Sequence, residues 1–70
     1  MSVLEDMGDK LAVDVIAAME ELGDDRFFDK VSKVLMDASP TMQEAFLTAY
    51  RVRRAEQRGR AFIEAALKAK

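Results

Sequence analysis

Ser39-Pro40 opens the longest uninterrupted stretch of the chain, and that stretch limits the folds available to it. Residues 40–69 contain no proline after Pro40 and are rich in Ala, Arg, Glu, Gln, Lys and Leu, all good helix formers. Serine suits an N-cap, and proline at the first helical position gives up no hydrogen bond that the helix needs. A continuous helix over 40–69 is about 45 Å long at about 1.5 Å per residue. Gly59 is its one weak point, where a break turns three helices into four.

Two shorter helices fit before it. Ser2 and Glu5 stand at the spacing of a capping box. From there Leu4, Met7, Leu11, Val15, Ala18, Met19 and Leu22 recur at three- and four-residue steps, the period of one helical face. Gly23 follows where a left-handed cap ends a helix, so the pattern predicts helix 1 over 3–22. Asp24 and Asp25 are N-cap candidates whose charge suits the positive end of the next helix. Phe27, Phe28, Val31, Val34, Leu35 and Ala38 share a face in helix 2, over 26–38, with Leu35 buried and Met36 pointing outward. The fold class is therefore all-α: a three-helix bundle in a single domain over residues 1–70.

Such a bundle has little to bury. Of thirty-five hydrophobic residues eleven are alanine, and a 70-residue chain hides only about 60% of its unfolded surface. With no cysteine there is no disulfide to make up the difference. Small domains in this position commonly gain burial by associating, so a homodimer is expected.

The third helix carries the most information about partners. In its first half Met42, Ala45, Phe46, Ala49 and Val52 cluster on one side; in its second half Phe62, Ile63 and Ala66 centre on a direction rotated by roughly 90°, although Leu67 returns to the first. Supercoiling drifts only about 20° per heptad, too little to account for this. Either the helix breaks near Arg58–Arg60, or it packs on different sides along its length. Leu47, Arg51, Arg54, Arg58 and Phe62 form one stripe at helical spacing, and Phe46, Tyr50, Arg53 and Gln57 another. Arginine mixed with aromatic and aliphatic residues is the composition of an interface centre, which makes Leu47, Tyr50, Arg51, Arg54, Arg58 and Phe62 the partner-binding candidates. The plainer reading is that arginine stems cover neighbouring apolar surface while their heads stay in water.

Glu56 lies near the apolar direction of helix 3, within reach of Arg53 and Arg60. It is either a seam-edge residue salting those arginines or a buried Glu–Arg pair setting register. Gly8 and Ala12 along the edge of the helix 1 stripe, and Ala45, Ala49, Gly59 and Ala66 on or near that of helix 3, let axes approach nearer to about 8 Å than about 10 Å. Helices 1 and 3 are the expected intimate pair.

Charge is laid out unevenly. Residues 1–40 carry ten acidic side chains against four basic, residues 41–70 three acidic against seven basic, and five of the six arginines fall within Arg51–Arg60. Two halves of opposite sign neutralise each other within or between chains, or the basic half holds an anionic partner. A nucleic acid contacted through Arg51–Arg60 is thus the alternative to a protein partner, although the chain is acidic overall and shows no helix-turn-helix or RNA-binding signature.

Chemistry finds few candidates. Without His or Cys, the Ser-His-Asp and Cys-His arrangements are impossible and an ordinary zinc site has no ligands. No EF-hand spacing or glycine-rich phosphate loop occurs, so no catalytic, cofactor or metal residue is assigned. The acidic start lacks the features of a signal peptide and no apolar run approaches a membrane span; the expected compartment is the cytoplasm. The function expected is a small non-enzymatic helical interaction or regulatory module that self-associates.

Overall fold

The first and third helices start on side-chain caps written in the local sequence. In this computed structural model, which describes residues 2–70, the Ser2 hydroxyl accepts the Glu5 amide of α1 (Val3–Leu22) while the Glu5 carboxylate accepts the Ser2 amide, a complete capping box. Gly23 ends α1 at φ 63°, where a side chain would be strained. The second helix, α2 (Phe27–Ala38), starts one residue later than its pattern predicts, and neither aspartate occupies its N-cap. Arg26 does, with no side-chain cap bond. Asp24 instead braces the loop, accepting the Arg26 amide at 2.9 Å and the Lys30 ammonium at 2.8 Å. Those two bonds, the Lys30 one foremost, hold its carboxyl below the usual range.

The third helix, α3 (Pro40–Lys68), opens as expected, with the Ser39 hydroxyl accepting the Met42 amide. It does not break at Gly59. Glycine costs only about 1 kcal/mol against alanine in a helix interior, less than the good formers around it supply.

The core is built where α1 and α3 approach most closely. A Cβ placed on Gly8 would lie 2.9 Å from the carbonyl carbon of Ala45, so only glycine fits there. Around this contact Ala12, Val15 and Met19 of α1 bury against Phe46 and Tyr50 of α3, and Phe46 is wholly enclosed. Phe28 of α2 stacks on Tyr50 with ring centroids 4.7 Å apart, and the Tyr50 hydroxyl donates to the Met19 sulfur.

This arrangement corrects the expected faces. The buried line of α1 is Gly8, Ala12, Val15 and Met19, rotated by roughly 60° from the centre of the large apolar stripe. Met7 and Leu22 are left exposed, because α3 seats against the smallest residues rather than the largest. In α2 the buried residue is Ser32, whose hydroxyl accepts the Gln43 side-chain amide at 3.0 Å; Val34 and Ala38 face solvent, and Leu35 is only half-buried. Met36 is exposed, as its position implies.

Shape follows from unequal lengths. The radius of gyration is 14.1 Å, against about 11 Å for a globule of this length. The bundle covers α3 only as far as Arg53; every residue from Arg54 to Lys68 is exposed. Four turns of helix project as an arm.

Two substitutions test this packing. Gly8→Ala is expected to destabilise by about 1–3 kcal/mol through overpacking, although alanine is the better helix former. Phe46→Ala is expected to cost about 3–5 kcal/mol. Urea unfolding followed by helical circular dichroism measures both.

Candidate functional site

The arm begins where the core line of α3 runs out. Phe46 and Tyr50 point into the bundle, and the next residue on that line, Arg53, closes its edge. The Arg53 guanidinium grips the Asp9 carboxylate of α1 with two hydrogen bonds, 2.6 and 2.7 Å long. These bonds, opposed by partial burial, hold the Asp9 carboxyl below its usual range and raise Arg53 above its own. One arginine of the cluster thus pairs with the acidic helix.

The remaining arginines do not. Arg60 pairs along its own helix with Glu56, and both are exposed; Glu56 is a surface residue salting an arginine, not a buried register-setting pair. Arg51, Arg54 and Arg58 meet no carboxylate among the described residues. Arg54 lies 5.6 Å from the centre of the Tyr50 ring and bonds Gln57.

Of the expected partner-binding residues, the structure separates two from the rest. Tyr50 is a core residue, buried beneath Phe28 and beside Met19, because it stands one turn after Phe46 on the line that the other two helices cover. Leu47 is half-buried against the same core. Arg51, Arg54, Arg58 and Phe62 lie on the exposed flank of α3.

What the stripe reading overlooked is a different line. Phe62, Ile63 and Leu67 on the arm are 76%, 58% and 66% exposed, apolar side chains that no other helix covers among the described residues. Toward the bundle the flank that carries Ile63 and Leu67, not that of Phe62, runs into a groove of ≈ 740 Å³ between α1 and α3. Its floor is apolar (Leu4, Ala45, Ala49, Val52) and its rim carries Glu5, Asp9 and Glu44. The rotated apolar direction of Phe62, Ile63 and Ala66 was the signal for this surface, since it could not join the core line of Phe46 and Tyr50; Leu67 returns to the direction of the first half.

Among the described residues no three metal-ligating side chains cluster, and no helix is long and apolar enough to cross a membrane. No protein-family model, no curated protein and no solved structure matches the chain significantly.

The Asp9–Arg53 clamp has a pH signature. A carboxyl whose folded pKa is depressed stabilises the fold above its unfolded pKa and loses that contribution as pH falls through the folded value. Asp9 is therefore expected to titrate below the ordinary carboxylate range by side-chain carbonyl NMR, and Arg53→Gln to return it to that range. An unshifted wild-type midpoint would show the clamp open in solution.

Proposed function

We propose that this chain is a small non-enzymatic interaction module that self-associates and whose working surface is the arm of α3. The observation that carries this reading is the exposure of the apolar residues Phe62, Ile63 and Leu67 on the arm. A folded monomer of 7.9 kDa exposes about 4,400 Å²; this chain exposes 5497 Å². The excess of about 1,100 Å² is comparable to the roughly 800 Å² that each partner hides in a standard interface. A free helix of the arm's length is marginal in water, so contact with a partner also stabilises the arm itself.

Sedimentation equilibrium at tens of micromolar is expected to give twice the 7.9 kDa chain mass. The variant Phe62→Ser/Leu67→Ser is expected to sediment as a monomer with the bundle intact, since neither side chain touches the core. A wild-type monomer overturns self-association.

A second reading rests on Arg51, Arg54 and Arg58, three exposed guanidiniums on one line with no carboxylate partner among the described residues. Such a line is suited to the phosphates of a nucleic acid. If it holds them, the log affinity for random duplex falls with log salt by about 0.9 per phosphate contacted. Replacing all three arginines with Gln then abolishes binding and leaves the helix intact. The protein-partner reading expects no submicromolar duplex binding at physiological ionic strength, because the acidic α1 and α2 repel a polyanion.

A further inference from the structure

We infer that the arm's partner is the acidic-rimmed groove of a second copy, each arm lying in the other's groove with the two α3 helices antiparallel. This rests on the proposal of self-association and names its geometry.

Groove and arm are one continuous side of one helix. Ala45, Thr48, Val52, Gly59, Ile63 and Ala66 follow one another at steps of three, four, seven, four and three, all consistent with a single helical flank. That spacing reads the same in both directions about a midpoint between Ala55 and Glu56. A two-fold axis at that midpoint sets Val52 opposite the partner's Gly59, Thr48 opposite the partner's Ile63, and Ala45 opposite the partner's Ala66. At the two inner pairs a larger aliphatic residue meets a smaller one, and alanine meets alanine at the outer. Small residues along such a line allow close axial approach. Gly59 is open in the single chain, with nothing within 4 Å of where a Cβ would stand. A partner's Val52 has room there.

Charge favours the same pairing. Residues 54–70 carry five basic side chains against two acidic, while the rest of the chain carries six basic against eleven acidic. The groove's rim shares that excess through Glu5 and Glu44, Asp9 being paired with Arg53. An arm of net +3 laid along it meets opposite charge. A parallel pairing would set arm against arm and like charge against like. The antiparallel one uses the same patch twice and closes at two copies, leaving no arm free to extend a fibre.

Cysteine cross-linking tests the geometry, since the chain has no cysteine of its own. Thr48 and Ile63 are both exposed, so Thr48→Cys and Ile63→Cys should fold; circular dichroism checks this. Each lies about 22 Å along the axis from its own mate in the proposed dimer, too far for a disulfide, but directly across from the other. Oxidation of an equimolar mixture of the two variants is expected to give a covalent heterodimer, joined by a disulfide from position 48 of one chain to position 63 of the other. Either variant alone is expected to give no covalent dimer. Val52→Cys mixed with Gly59→Cys should behave alike and guards against a local misfit at the first pair. Efficient linking of Thr48→Cys or Ile63→Cys to itself overturns the antiparallel arrangement. A two-chain mass with no link in either mixture overturns the groove as the arm's seat while leaving self-association standing. A monomer at every concentration overturns both.

Discussion

Everything in this bundle is arranged around the place where α1 can touch the backbone of α3. Gly8 has no side chain, and the main chain of Ala45 occupies the space one would need. Two helices meeting this closely bring their flanking side chains into contact at once: Ala12 and Val15 from one, Phe46 from the other. Phe46 is fully enclosed as a consequence, and Tyr50, one turn on, is carried under Phe28 and beside Met19. The large apolar stripe of α1 has to yield to this geometry. Met7 and Leu22 stay in water because seating them would lift α3 off Gly8.

The same contact decides where the bundle stops. With α1 and α2 packed against the first half of α3, the core line ends at Arg53, whose paired hydrogen bonds to Asp9 seal the edge with charge rather than with another apolar layer. Clamps of this kind at a half-exposed edge orient more than they stabilise. Beyond Arg53 the helix continues with its apolar residues facing another way and unmet. A long helix in a short bundle thus divides into a part that folds the chain and a part free to contact something else.

Charge segregation makes sense on that division. Most acidic residues lie on α1, α2, the loop between them and the groove rim, most basic ones along the later part of α3, and among the described residues only Arg53 pairs across the two, through Asp9. Apart from Arg60, which pairs with Glu56, the cations of the arm meet no carboxylate among the described residues.

Local order was legible in the residues. The capping box at Ser2–Glu5, the left-handed Gly23 and the Ser39-Pro40 start each act through bonds within a few positions, so the bounds of α1, the start of α3 and the all-α class followed from sequence alone, whereas the cap of α2 and the continuity of α3 at Gly59 did not. The intimacy of helices 1 and 3 was also readable, because small residues are what permit it. Which face of each helix is buried was not. Tyr50 looked like part of a contact stripe and is core; Val34 looked like core and is exposed; Ser32 gave no apolar signal and is the buried residue of α2, satisfied by Gln43. Periodicity fixes which residues share a face, but the face that goes inward depends on how near a neighbouring helix can come. That distance was set by the missing side chain at Gly8, and only the folded arrangement of α1 against α3 turned it into a choice of core, an edge at Arg53 and a bare arm beyond.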